Sequence, residues 1–463
     1  MTIFKKNRDF VLHHVDLDTG YGLLYSKKND ECAFLNTLAT ALWKIPLDHV
    51  NPEREITLFA EVSRISEAAG YMNSVITGMK EKNLLIPDAD DDKPCDSVPE
   101  KTKSQDHQLG QIYFYATRRC NARCYHCYQP TEKIDGAPPE AQNNQLSAAS
   151  FLRFLEDALP LGVKAVKVTG GEPLLRTDLE EILRGIKGLG LGVSIETNGS
   201  LITEKIADLF AELAVRISIS LDGGSAEVHD LLRGHPGSFD RVLHALKLLS
   251  DKGCQPQIIM AISSKNLGEI EAVLDIAASN KCRLVKLNPV NTLGTAHRLS
   301  GNKILLGAGE LLALHRKRKE MESKFATFIY LEGPPVFSTI EEIVDGHAAI
   351  CPFTGIIGVL ADGSLSYCGI GNSHPELIYA RIKENDFDIK EFWKKDGTPL
   401  ARVRTIMSQK IQGICGSCIL EALCKGSCRA LAYTEFGSFS APHPWCQNAY
   451  DEGLFPSHYL KPS

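Results

Sequence analysis

The chain has no apolar run near the ~18 residues a bilayer span requires, so no transmembrane helix and no membrane partner are expected. Its first residues, Met1-Thr-Ile-Phe-Lys-Lys-Asn-Arg-Asp9, are basic but lack a following apolar stretch, which argues against a signal peptide. A cytoplasmic location is the expectation. Strong charge of either sign is also missing: the formal net charge is −6, which argues against nucleic acid as the partner. At 43% hydrophobic and 23% charged residues, the 463-residue chain can bury large cores, and a prior of roughly 150 residues per domain gives two or three domains. Cysteine is what the chain does have, with fourteen. In a reducing compartment these stay thiols, and clustered ones read as metal ligands rather than disulfides.

Three of them form Cys120-Asn-Ala-Arg-Cys124-Tyr-His-Cys127, directly after the strand-like run Ile112-Tyr-Phe-Tyr-Ala116. Soft thiolates converging from one loop suit iron or zinc. A closed tetrahedral zinc site or an ordinary four-iron cluster takes four protein ligands. No fourth cysteine lies nearby, so a cluster here would keep one iron open. The spacing resembles the signature of radical S-adenosylmethionine (SAM) enzymes, whose open iron is chelated by the amine and carboxylate of SAM. One departure is His126, where the family usually has a carbocyclic aromatic residue, with Tyr125 beside it.

Residues 110–300 alternate strand and helix. The strands are expected at Gln111–Ala116, Ala165–Thr169, Gly192–Glu196, Arg216–Ser220, Gln257–Ile262 and Leu284–Leu287, with helices such as Ala148–Ala158, Thr177–Lys187 and Phe239–Lys252 between them. Six such units predict an α/β fold, a partial (β/α)6 TIM-type barrel with its chemistry at the strand carboxyl ends. The three-cysteine loop, Thr169-Gly-Gly-Glu-Pro173, Glu196-Thr-Asn-Gly199 and Ser220-Leu-Asp-Gly223 all fall there. Gly170 and Gly171 can let backbone approach a ligand closely, with Glu172 as a polar anchor. By resemblance, Gly170, Gly171, Glu172 and Pro173 hold the SAM amine, Asn198 and Ser220 contact its ribose and carboxylate, and Arg233 pairs with the carboxylate. Ser263 and Ser264 are weaker candidates. Cys95 reads as an incidental thiol, and Cys32, Cys254 and Cys282 as small buried hydrophobes.

Residues 1–87 show short strands (Phe10–Leu12, Gly22–Tyr25), helical patterns over Ala33–Trp43 and near 54–69 and 72–83, and a strand at Leu84–Ile86. The order, and Leu35-Asn-Thr-Leu-Ala39, resemble the winged-helix-like, PqqD-like domains that bind a leader peptide as an added strand. Residues 88–109 read as a polar linker. Residues 301–345 read as a bridge carrying a charged helix, Glu310–Lys324, whose basic run His315–Lys319 is expected to be a solvated face.

Seven cysteines follow position 350, more than a zinc ribbon explains. With Gly363 ahead of Cys368 and four residues between them, they resemble the SPASM extension of radical SAM enzymes, taken here as residues 346–463. By resemblance Cys415, Cys418, Cys424 and Cys446 ligate an outer auxiliary cluster, and Cys351, Cys368 and Cys428 an inner one. Some relatives carry one more cysteine where this chain has Ile357. The inner cluster thus has either an open iron or a ligand of another type. The resemblance implies three [4Fe-4S] clusters, SAM, and an external electron donor such as flavodoxin or ferredoxin. It also implies a ribosomally made precursor peptide as substrate, most simply crosslinked through a thioether or carbon–carbon bond. Epimerisation, action on a folded protein as in sulfatase maturation, and an iron–sulfur carrier or scaffold without SAM chemistry are the other readings. No catalytic acid or base is identifiable from the sequence.

Overall fold

The computed structural model describes residues 4–15, 22–26, 31–36, 68–87, 108–129, 145–293, 304–344, 351, 353–382, 387–394, 398–408 and 410–461, with isolated positions 28, 39–40, 43, 49–50, 132–133 and 348. Several expectations lie outside these residues: the helix over most of 54–69, nearly all of the 88–109 linker, Cys95, and the turns of the first hairpins.

Among the described residues the N-terminal region holds two three-stranded antiparallel sheets. One joins β1 (Phe4–Lys6), β5 (His49–Val50) and β6 (Leu85–Pro87), in the order β5-β1-β6. The other joins β2 (Val11–Val15), β3 (Gly22–Ser26) and β4 (Glu31–Leu35), in the order β2-β3-β4. The helix Ala68–Glu81 follows the expected period, and its Val75, Ile76 and Met79 pack with Phe10, Leu24, Leu35 and Trp43. The helix expected over Ala33–Trp43 is corrected at its start. Ala33, Phe34 and Leu35 belong to β4, paired residue for residue with Leu24, Leu23 and Gly22. A buried hairpin partner outweighs a helical pattern that short.

Strand β7 (Gln111–Thr117) leads into a two-residue parallel pairing of β8 (Arg119–Cys120) with β9 (Glu132–Lys133). The main sheet continues with β10 (Ala165–Gly170), β11 (Gly192–Thr197), β12 (Arg216–Ser220), β13 (Gln257–Ile262) and β14 (Leu284–Pro289). All six expected strands are present. The sheet is wider than six, because β15 (Ile329–Leu331) adds in parallel to β14, and β16 (Ile356–Val359) adds in parallel to β7. With the antiparallel strands β17 (Ser364–Ser366) and β18 (Ile378–Arg381), the described residues form ten strands in the order β15-β14-β13-β12-β11-β10-β7-β16-β17-β18. Gly363 makes the β16–β17 turn possible: its φ of 81° lies in the left-handed region.

The connecting helices are capped as their sequences suggest. Ser147, Thr203 and Ser225 accept from the third backbone N–H of the helices Ala148–Ala158, Glu204–Glu212 and Ala226–Arg233. The helix expected from Thr177 begins at Leu179 instead, after a short turn over Pro173–Leu175. Phe151 of the first helix stacks on Phe114 of β7 at 3.8 Å between centroids, both fully buried. The helix Ala308–Phe325 matches the charged helix expected, but its basic run is not all solvated. Arg318 is buried, donating to the Ile329 carbonyl and pairing with Glu322 and Glu342.

The N-terminal sheet is built onto the cysteine-rich end of the chain. Leu23 and Tyr25 of β3 share one apolar cluster with Phe337, Ile340, Ile419, Leu420 and Tyr459, and Cys32 and Phe34 of β4 pack against it.

Candidate functional site

A cavity of about 350 Å³ is lined by inward-facing side chains of the main sheet and by the loops at the carboxyl ends of its strands. Cys120, Cys124 and Cys127 all line it, and so do Gly170, Gly171, Asn198, Ser220 and Arg233. The loops that hold them are joined to one another. Asn198 donates its amide to Asn121 Oδ1 at 2.8 Å, and Asn121 donates to Ser200 Oγ at 3.0 Å. Arg123 and Tyr125 N–H groups donate to the Arg233 and Leu232 carbonyls, both at 2.9 Å.

Two glycines act on protein rather than open space. A Cβ on Gly171 would stand 2.1 Å from the Arg119 carbonyl oxygen, and one on Gly170 2.6 Å from that of Thr117. They let the Gly-Gly-Glu-Pro turn close onto the chain that leads to Cys120. Glu172 and Pro173 are buried and do not line the cavity. The Glu172 carboxylate accepts from Thr197 Oγ1 and the Asn198 N–H, each at 2.7 Å, and from the Leu174 N–H at 3.1 Å. It therefore ties one site loop to the next. Ser263 and Ser264 are likewise off the cavity wall, Ser263 bonded to Asn266.

Arg233 is nearly buried. Its Nε meets Asp222 Oδ2 at 2.7 Å as an ion pair, and its Nη1 lies 3.5 Å from Cys124 Sγ. Asp222 also faces His126 Nε2 at 3.3 Å and accepts from the Ala261 N–H at 2.8 Å. This gives the unusual His126 a place: its ring is buried against a carboxylate, while Tyr125 is exposed. Burial pulls the His126 pKa below its ordinary value, so the ring is neutral near pH 7.

Sequence reasoning missed a second set of polar groups lining the cavity. Lys167 pairs with Glu196 at 2.8 Å, Lys286 pairs with Glu332 at 2.6 Å, and Thr169 Oγ1 donates to Glu196 at 3.0 Å. Tyr113, Tyr115 and Tyr128 complete this set. Burial raises the Glu196 carboxyl, but Lys167 and Lys286 outweigh it and leave the pKa below the ordinary range. Lys286 holds Glu332 low as well. Burial pushes Tyr113 up to about 12. The signal was alternation: Tyr113/Tyr115, Lys167/Thr169, Ser194/Glu196 and Lys286/Asn288 put polar groups on one face of strands whose parallel pairing predicts apolar residues on both.

The seven C-terminal cysteines separate into two groups. Cys415, Cys418, Cys424 and Cys446 line one small pocket with Pro334, Val336, Leu420 and Phe455. Cys351, Cys368 and Cys428 pack round Phe353, Tyr367 and Phe439, with Cys351 Sγ 3.5 Å from Tyr367 Oη. Ile357 is elsewhere, opposite Ile112 in the main core. The second group is tied to the cavity, since the Gly369 N–H, next to Cys368, donates to Tyr115 Oη at 2.7 Å.

The donor sets suit iron–sulfur clusters. Burial pushes the Cys120 and Cys424 thiols up to about 12, so either becomes a thiolate only beside bound cations. Among the described residues no three Cys, His, Asp or Glu side chains close round a single ion, the arrangement mononuclear zinc needs.

The comparisons with known proteins agree on the class. Residues 114–277 match the Radical SAM superfamily model, so the chain carries a radical SAM domain, the core of an enzyme that works with SAM and a [4Fe-4S] cluster. Beyond that class, two kinds of relative stand out. An AdoMet-dependent heme synthase of Methanosarcina barkeri is 27% identical over 72% of this chain and 95% of its own. Streptococcus suis SuiB bound to precursor peptide SuiA has a similar fold, with a TM-score of 0.58 and 17% identity over 96% of this chain and 100% of that one. The enzyme anSMEcpe with bound AdoMet and Cp18Cys peptide gives 0.56 and 19% over 76% and 98%. Among the described residues no helix is long and apolar enough to cross a membrane.

Proposed function

We propose that this enzyme modifies a ribosomally made precursor peptide, with residues 1–87 as a winged-helix-like leader-binding domain and 346–463 as a SPASM domain. The observation that carries this reading is the part of the chain that the heme synthase leaves over. That relative is matched almost end to end yet spans 72% of this chain, whereas the peptide-bound SuiB fold spans 96%. The sheet β2-β3-β4 offers an edge for an incoming strand: among the described residues β2 pairs with β3 alone, and Val11 on it is exposed.

In this reading Cys120, Cys124 and Cys127 hold the SAM cluster, and the two C-terminal groups hold the auxiliary clusters. When bound, the first cluster supplies the electron, drawn from a flavodoxin or ferredoxin, that cleaves SAM to methionine and a 5′-deoxyadenosyl radical, and the others supply an acceptor for a second electron. The chain's own residues do the positioning. Asp222 holds the Arg233 fork toward the SAM carboxylate. The Asn121–Asn198–Ser200 bonds fix the loop facing the ribose, beside Ser220, and Gly170 and Gly171 shape the wall that receives the amine. Glu196 and Glu332, kept ionised by their lysines, can take the proton released as a crosslink closes.

A tetrapyrrole substrate is the second reading, favoured by the higher identity to the heme synthase. Anaerobic turnover with SAM and dithionite separates the two. The peptide reading expects 5′-deoxyadenosine and loss of a hydrogen pair from a precursor peptide. Turnover of a carboxylate-bearing iron porphyrin, with none of the peptide, would overturn it.

A further inference from the structure

Arg429, the residue after Cys428, is fully buried. Its guanidinium donates to three carbonyls: Nη1 to Phe439 at 2.9 Å and Ala441 at 2.6 Å, and Nη2 to Gly426 at 2.7 Å. Among the described residues its Nε has no acceptor. No carboxylate among the described residues pairs with it. Glu421, the acidic residue of the same cysteine-rich segment, is matched by Lys461 at 3.0 Å. A buried cation without a counter-ion is costly, and carbonyl dipoles offset only part of that cost.

Its position indicates what completes the balance. Gly426 lies midway between Cys424, of the four-cysteine group, and Cys428, of the three-cysteine group. Ala441 lies two residues before His443, whose N–H donates to Cys415 Sγ at 3.3 Å. The loop is shaped round the guanidinium: Gly426 has φ 71°, and a Cβ there would stand 2.4 Å from Nη2.

We infer that Arg429 is a fixed positive charge set between the two auxiliary clusters, balancing their negative charge and raising their reduction potentials. The inference rests on the two-cluster reading above. Each thiolate-bound cluster is anionic and gains one more negative charge on reduction. A cation in the same low-dielectric interior therefore stabilises the reduced form more than the oxidised one. No proton or bond changes hands. The consequence is that the clusters accept an electron from the substrate side more readily.

The test uses the full chain with Cys120, Cys124 and Cys127 changed to Ala, so that only C-terminal clusters give a signal. Iron is measured first, then redox titrations are followed by EPR for Arg429, Arg429→Met and Arg429→Lys. Neutral Arg429→Met should lower the reduced-to-oxidised ratio at fixed potential about tenfold, near 59 mV for a one-electron couple. Arg429→Lys should stay close to the parent. Should Arg429→Met not take up iron, Arg429→Gln keeps an amide donor for the carbonyls and gives the same reading. Iron held by the Lys variant and by neither neutral one supports a charge requirement. Full iron with an unchanged midpoint in Arg429→Met overturns the inference while the clusters stand. Equal shifts in the Met and Lys variants, or iron loss in all three, overturn it in favour of packing. A parent without C-terminal iron overturns the two-cluster reading itself.

Discussion

The cysteines at the two ends of this site sit in opposite surroundings. Cys120, Cys124 and Cys127 face an open cavity that is also lined by two lysine–glutamate pairs and three tyrosines. Cys415, Cys418, Cys424 and Cys446 face mainly proline, valine, leucine and phenylalanine together with the Lys461-paired Glu421, and the nearby Arg429 has no carboxylate partner among the described residues. A cluster that must meet a polar cosubstrate and a peptide needs hydrogen-bonding groups within reach. A cluster that only takes up an electron gains from a dry shell that tunes its potential. On the proposed function the difference in lining separates chemistry from electron storage, and Tyr115, bonded to Gly369, joins the cavity to the three-cysteine group.

Removing one side outright is the largest break. The variant with Cys120, Cys124 and Cys127 changed to Ala should release no 5′-deoxyadenosine. It should keep about eight of roughly twelve irons, by four per cluster. Residual SAM cleavage, measured by chromatography under dithionite, would put the chemistry on the wrong side of the comparison.

Next is the brace of the polar side. Glu172→Ala leaves Thr197 Oγ1 and two backbone N–H groups without their buried acceptor. Destabilisation of about 3 kcal/mol is expected, read as a lower melting temperature, with Glu172→Gln losing less. Equal melting of all three proteins would show that this carboxylate braces nothing.

The lysine-paired carboxylates give a smaller effect with a defined pH window. Lys286 depresses the Glu332 pKa in the folded chain. Its contribution is therefore complete above the unfolded value of about 4.3 and is lost as pH falls through the lower folded value. The melting difference between the parent and Glu332→Gln should be constant from about pH 7 to pH 5 and shrink below about pH 4. A difference that shrinks already near pH 6 would mean that Glu332 is not held ionised.

How far the sequence discloses this arrangement differs from part to part. The strand–helix alternation is explicit in residue types, and each expected strand of the main sheet lies within two residues of its place. Loop motifs also read well, because Cys120, Gly170, Asn198 and Ser220 follow strands and so share one end of the sheet. Strands β15 and β16 did not read as part of it. They are short, and they join β14 and β7 through pairing that only the closed fold supplies. Glu172 read as a ligand contact because spacing does not tell which way a side chain turns. The division of the seven cysteines came from resemblance, and spacing alone would not have parted Cys424 from Cys428.

The smallest expected effect concerns how the apolar side supports delivery to the polar one. Strands β3 and β4 lean on the cysteine-rich region through Leu23, Tyr25 and Phe34, which leaves β2 as the outer strand. Deleting residues 1–87 would bare Phe337, Ile340 and Ile419 and confuse lost binding with lost folding. A single charge on the edge avoids this, since lysine on an edge strand disfavours an added strand. Val11→Lys sits at an exposed position, so stability should change by no more than about 0.5 kcal/mol. Binding of the precursor should weaken by about 1 kcal/mol, roughly fivefold in Kd. Fluorescence titration of a labelled precursor, with a melt of the same sample, separates the outcomes. Unchanged affinity would move the leader away from β2, while equal loss of affinity and stability would show that Val11 serves the sheet itself.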